Sequence, residues 1–298
     1  MNRMYAAMLA GAAGGTLLLT AIATVAAPAA GATAAPRHVP GEPAGQFPPK
    51  GYEIIKAGPL TAPGGTQTQG TVTCPGKKQP SGGGAYVTSS SLSAGVNSSY
   101  PSGQSWDVSI NNGSGVSTDF YVYAVCLNYS PGYSVATSIP YLVGDGTLSG
   151  TAQCPGKTGV LGGGAESATL STGVNINSTL PDQLSGGRTA WQAAMTSSDS
   201  TASRFTVYAV CRPKPAGYTI DFGQIVTNGP GAQTLAGADC PGASVPIGGG
   251  HVTGFTASDT AVGTNATWPQ TDANWAAVEN NGGTASRTLE AAVVCAGS

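Results

Sequence analysis

Charge is scarce in this chain. Only 9% of its 298 residues are Asp, Glu, Lys or Arg, against roughly a quarter in an ordinary soluble protein. Twelve basic and fourteen acidic residues leave a formal net charge of −2. Nucleic-acid binding needs clustered Lys and Arg to replace phosphate counterions. The densest basic pair in the body of the chain is Lys77-Lys78, so no nucleic-acid partner is expected. Histidine is scarcer still: of two, only His251 lies beyond residue 38. A Ser-His-Asp site would have to use it, and no Gly-x-Ser-x-Gly supplies a nucleophile. No CxxC occurs, which argues against a metal site. Gly156-Lys157-Thr158 has Thr151 where a phosphate loop needs its leading Gly, so no cofactor is implied. Beyond residue 40 no apolar run could span a bilayer. Helix signals are missing too, because Gly and β-branched residues recur throughout.

What is present comes three times. A Cys-Pro-Gly is followed, eight residues after the Cys, by Gly-Gly-Gly; a Trp comes later, and a second Cys twenty residues after the Trp. The copies run from Cys74 through Trp106 to Cys126, from Cys154 through Trp191 to Cys211, and from Cys240 through Trp275 to Cys295. Upstream, Gly51-Tyr52, Gly132-Tyr133 and Gly217-Tyr218 open each copy. The units are therefore 47–126, 127–211 and 212–298, about 80 residues each.

Residues 1–34 read as a secretory signal peptide, with Arg3, an apolar run around Leu17-Leu18-Leu19, and small residues at Ala32-Thr33-Ala34. Residues 35–46 read as a Pro-rich leader remnant. The expected location is outside the cell or in the cell wall, with no membrane contact after cleavage. In an oxidising compartment six cysteines read as three disulfides. The repeat pairs Cys74 with Cys126, Cys154 with Cys211 and Cys240 with Cys295. Each closes a loop worth about 4 kcal/mol in the chain-entropy model.

Each unit is read as about five strands. The last two, carrying the Trp and the second Cys, are expected to form a hairpin through polar turns such as Asn111-Asn112-Gly113. Period two puts Phe120, Val122, Ala124 and Cys126 on one buried face. The triple glycines suit a bulge or a close backbone approach. The fold class is all-β: three tandem antiparallel repeats, each with one disulfide. They are arranged as small β-sandwiches or as a pseudo-threefold β-prism.

The Cys-Pro-Gly, triple-Gly, Trp and Val-Tyr-Ala-Val-Cys pattern resembles repeats of secreted proteins from high-GC Gram-positive bacteria. It ends in Val122-Tyr123-Ala124-Val125-Cys126 and Val207-Tyr208-Ala209-Val210-Cys211, and the third copy lacks the Tyr. The resemblance implies export and a repeated β unit, and carries no activity with it. A looser one, through the Cys-Pro turn and the closing strand, is to the vitelline membrane outer layer protein family, which implies a β-prism.

Trp106, Trp191 and Trp275 recur at one position and read as core. A second aromatic position varies: Tyr100-Pro101, Leu180-Pro181 and Trp268-Pro269, each just after Asn97, Asn177 or Asn265. A Trp beside Pro in a polar turn is expected to be exposed. Flat aromatics with Asn and Asp neighbours suit a sugar's ring face and hydroxyls. Trp268, Asn265 and Asp272, with His251, Tyr100 and Asn97, are the candidate ligand residues. The three Asn are also formal glycosylation sequons and are read as turn formers. The carboxylates, Glu166 and Glu279 among them, do not recur at shared positions and mark no catalytic pair.

The leading reading is a secreted, non-catalytic binding or adhesion protein whose partner is a glycan or cell-wall component, with up to three quasi-equivalent sites. A structural protein of the cell envelope or extracellular matrix is the alternative, and a secreted hydrolase the third.

Overall fold

The computed structural model describes residues 48–297; the signal peptide and the leader remnant lie outside the described residues. The first repeat forms β1 (Glu53–Ala62), β2 (Thr66–Thr73), β3 (Lys78–Val87), β4 (Ala94–Ser102), β5 (Ser105–Asn112) and β6 (Thr118–Asn128). The second forms β7 (Ser134–Thr137), β8 (Tyr141–Val143), β9 (Gly146–Gln153), β10 (Gly159–Ser167), β11 (Val174–Gln183), β12 (Thr189–Ser197) and β13 (Ser203–Arg212). The third forms β14 (Thr219–Phe222), β15 (Val226–Asn228), β16 (Ala232–Asp239), β17 (Val245–Thr253), β18 (Val262–Pro269), β19 (Asn274–Asn281) and β20 (Arg287–Ala296).

Each repeat is a sandwich of two small sheets, and each small sheet continues into a neighbouring repeat. Sheet I runs β1-β6-β3-β18-β19-β16, joining the first and third repeats. Sheet II runs β2-β5-β4-β10-β13-β7, joining the first and second. Sheet III runs β14-β20-β17-β11-β12-β9, joining the third and second. Sandwich and prism are thus the same object: three two-layered units share their sheets around a pseudo-threefold axis. The three seams are antiparallel pairs at Ala85↔Thr267, Ser99↔Ala165 and Thr179↔His251.

The disulfides are the three expected: Cys74–Cys126, Cys154–Cys211 and Cys240–Cys295, with Cα separations of 5.7, 5.6 and 5.6 Å. Each pins the two layers of its own repeat together. Among the described residues no helix is long and apolar enough to cross a membrane.

Two expectations are corrected. The Trp strand and the closing Cys strand do not form a hairpin: β5 pairs β2 and β4, while β6 pairs β1 and β3. Both strands bury an apolar face, and the faces meet across the sandwich instead of lying side by side. Asn112 holds the crossover, its Nδ2 donating to Ala62 O and Val116 O at 2.8 Å. The second correction is an extra strand. The segments holding Asn97, Asn177 and Asn265 are β4, β11 and β18, the very strands that form the seams.

The triple glycines divide three tasks. A Cβ on Gly82 would lie 2.5 Å from Gly248 Cα, one on Gly248 2.9 Å from Gly162 Cα, and one on Gly162 2.8 Å from Gly82 Cα. The first glycines therefore meet one another around the axis. A Cβ on the middle glycines, Gly83, Gly163 and Gly249, would strike the Trp of the same repeat at 2.4–2.5 Å. The third, Gly84, Gly164 and Gly250, face the carbonyls of Thr267, Ser99 and Thr179 across the seams. Only hydrogen fits in all three places.

Candidate functional site

The seam strands decide where the candidate residues point. Asn97, Asn177 and Asn265 are each the unpaired residue of a β-bulge, between Val96 and Ser98, Ile176 and Ser178, and Thr264 and Ala266. All three are buried. Each amide donates to the backbone of the next repeat: Asn97 to Val174 O at 2.7 Å, Asn177 to Val262 O at 3.2 Å, Asn265 to Ala94 O at 3.0 Å. The bonds run around the axis and close on themselves. The sequon hydroxyls are occupied as well. Ser99, Thr179 and Thr267 accept the indole N–H of Trp106, Trp191 and Trp275 at 2.9, 2.7 and 2.8 Å. These Asn are therefore not turn formers, and Asn97 and Asn265 present no free amide to a ligand.

Trp268 departs from its expectation too. It sits in β18, not in an exposed turn, and is 8% exposed. Tyr86 covers it, with ring centroids 4.9 Å apart. Asp272 is exposed in the turn between β18 and β19, and its charge acts on the Tyr52 hydroxyl of the first repeat. His251 is wholly buried in β17. Its Nε2 lies 3.0 Å from Thr264 Oγ1 and 3.1 Å from Asn177 O. Burial lowers its pKa to about 4, so it is a neutral core imidazole at pH 7. The structure does not bring Trp268, Asp272 and His251 together as one site.

His251 belongs to a buried polar corner found in the third repeat alone. Glu279 in β19 is also wholly buried. Asn228 Nδ2 donates to its Oε1 at 2.8 Å, and the Thr253 hydroxyl lies against its other oxygen. Burial raises the Glu279 pKa to about 8; the Asn228 bond and Arg287 pull it down, and Asp259 pushes it up. Arg287 is itself held by Asp259, with Nη2–Oδ1 2.6 Å. The strand pairings place Ile110 and Met195 where the third repeat has Glu279.

Tyr100 is the candidate that reaches the surface. On β4 the side chain opposite Ser99 faces outward, and Tyr100 is half-buried on the outer face of sheet II. Its ring stacks on Tyr208 of β13, across the seam, at 5.2 Å and 26°. The Tyr208 hydroxyl donates to Glu166 Oε2 of β10 at 2.5 Å. Asp107, the cross-strand partner of Tyr100, accepts from Thr71 Oγ1 at 2.7 Å. Burial, then Glu166 and Asp107, pushes the Tyr100 hydroxyl up to about 12. Burial and the Glu166 bond also push Tyr208 up. Both phenols hold their protons and serve as donors.

Beside this pair lies a recess of about 200 Å3, lined by Tyr100, Glu166, Gln67, Gln69, Ser98 and Ser109 and by the 167–170 loop. Glu166, Tyr208 and the two Gln are not among the ligand residues expected from the sequence. The signal was available: alternation on β10 and β13 puts Glu166 and Tyr208 on the solvent side. Among the described residues no group of three or more His, Cys, Asp or Glu forms a metal site.

The chain matches no protein-family model and no curated protein, so the functional reading rests on this geometry.

Proposed function

We propose that the chain is a secreted, non-catalytic binding protein that takes carbohydrate on the outer face of sheet II. One observation carries the reading: the Tyr100–Tyr208 pair, flanked by Glu166 and Asp107, beside a polar recess of about 200 Å3. Aromatic faces suit the C–H side of a sugar ring, and carboxylate, amide and hydroxyl groups suit its rim. The recess is below the roughly 300–1,000 Å3 of drug-sized pockets, and fits one ring or the end of a chain. The stacked pair and Glu166 stand on strands, which hold a binding geometry better than loops do. The three disulfides fit the oxidising setting that export would provide.

A glycan array tests the reading. The intact protein should give hits, and Tyr100→Ala should weaken them by about tenfold or more, the loss of a stacking contact worth up to roughly 1–3 kcal/mol. A blank array would remove the reading. If the protein then sedimented with the wall fraction, the structural role would take its place, for which the closed ring of buried amide bonds is the supporting observation.

A further inference from the structure

The three seams offer an internal comparison. At the outward position next to the seam, the first repeat has Tyr86, the second Glu166 and the third Val252. In sheet I the aromatic partner, Trp268, is packed under Tyr86 and pairs across the strand with Ala276, where Tyr100 pairs with Asp107. In sheet III the corresponding positions are Leu180 and Val252. In sheet II an acid, Glu166, stands beside a stacked pair of outward phenols and holds one of them by a hydrogen bond.

Resting on the carbohydrate reading, we propose that this site selects sugars bearing a free ammonium group, hexosamine units that are not N-acetylated, over neutral or N-acetylated ones. Three features lead there. Glu166 lines the recess and already accepts from one phenol, and an ammonium would meet it in a charge-assisted bond, about twice as strong as a neutral one. Neither Lys nor Arg lines the recess, so no internal cation competes for that carboxylate. Arg204, on the same face of β13, is exposed and is not paired with Glu166. The flanking charge of Asp107 has the same sign. Finally, aromatic faces attract cations, and this chain shows it twice: Lys56 Nζ sits 4.5 Å from the Tyr121 ring centroid, and Lys214 Nζ 5.2 Å from that of Tyr218. An acetyl group would remove the charge that all three features favour.

The test is calorimetric titration of the full mature protein with three tetrasaccharides: β-1,4-glucosamine, β-1,4-N-acetylglucosamine and β-1,4-glucose. The glucosamine chain should bind about tenfold tighter than either of the others, as expected of one added charged hydrogen bond, and the advantage should shrink as salt is raised. In Glu166→Gln the preference should vanish, so that the variant binds glucosamine no more tightly than it binds the neutral chain. Asp119→Asn, which removes an exposed carboxylate on sheet I, should leave the preference intact. Equal or tighter binding of the neutral or acetylated chain would overturn the selectivity while the carbohydrate reading stands. A preference lost equally in Asp119→Asn would show attraction to net charge and overturn it as well. If none of the three bound and the array were blank, both readings would fall together.

Discussion

At the scale of single residues, the third repeat has exchanged apolar packing for titratable groups that see no water. His251 stands where the other repeats have Ala85 and Ala165, and Glu279 where they have Ile110 and Met195. The two groups shape stability in opposite directions. Glu279 keeps its proton up to about pH 8 in the folded protein, whereas an unfolded Glu ionises near 4.3. Rising pH therefore favours the unfolded chain from about 4.3 to 8. His251 stays neutral down to about pH 4 when folded, whereas unfolded His takes a proton near 6.5. Falling pH therefore favours the unfolded chain from about 6.5 to 4. Between about 4.5 and 6.5 the effects offset. Urea midpoints should be level there and should fall as pH rises through 7 and 8. Glu279→Gln should remove that alkaline fall. His251→Ala, the residue found at both equivalent positions, should leave the alkaline fall and turn the level stretch into a continued rise as pH falls towards about 4.5. An alkaline limb unchanged in Glu279→Gln would contradict the assignment.

At the scale of elements, the glycine strands β3, β10 and β17 are where side chains are least tolerated. A Cβ on Gly163 would lie 2.2 Å from Tyr208 O and 2.4 Å from Trp191 Cγ. Gly156, in the Cys-Pro-Gly turn, has nothing within 4 Å and only its φ of +58° to protect. Gly163→Ala should thus cost more than about 3 kcal/mol, as overpacking against backbone does, and Gly156→Ala about 1–2 kcal/mol; thermal midpoints of the two variants give the ranking. Much of this was legible: glycines at a constant distance from Cys announce close approach. The seam strands were not. In Ala94-Gly95-Val96-Asn97-Ser98-Ser99, Gly95, Asn97, Ser98 and Ser99 prefer turns when only their neighbours in sequence are considered. It is a strand because the next repeat satisfies its amide and covers its backbone, information that lies about 80 residues away. The same blindness hid the candidate site. Tyr100 was visible, but Glu166 and Tyr208 reach it from another repeat. Trp268, the stronger aromatic signal, is capped by Tyr86 from across its own seam.

At the scale of the whole molecule, shared sheets make the three repeats one cooperative body. Independent sandwiches would melt separately, with a calorimetric enthalpy about three times the van't Hoff value. This architecture predicts one transition with the two in agreement. Removing one staple, as in Cys154→Ala with Cys211→Ala, should lower that single transition and not split off a second one; the loss expected is about 2–5 kcal/mol. The repeats are also tied by their opening tyrosines. Tyr133 donates to Pro80 O at 2.9 Å and Tyr218 to Val160 O at 2.8 Å, each reaching back to the preceding repeat. Tyr52, at the seam where the ring closes, buries its hydroxyl with no hydrogen-bond partner among the described residues.

The start and end of every repeat lie against each other, Gly51 by Asn128, Gly132 by Pro213 and Gly217 by Gly297. The link from the first repeat to the second needs only the few residues between Asn128 and Gly132. A segment of that length from Gly297 to Gly51 would span an equivalent distance by the same pseudo-symmetry. Which repeat comes first is therefore immaterial to the object they build, as long as their cyclic order is kept. A chain rejoined there and opened between the first and second repeats, or between the second and third, would close the same ring, and the first and third units would differ from the middle one in name only.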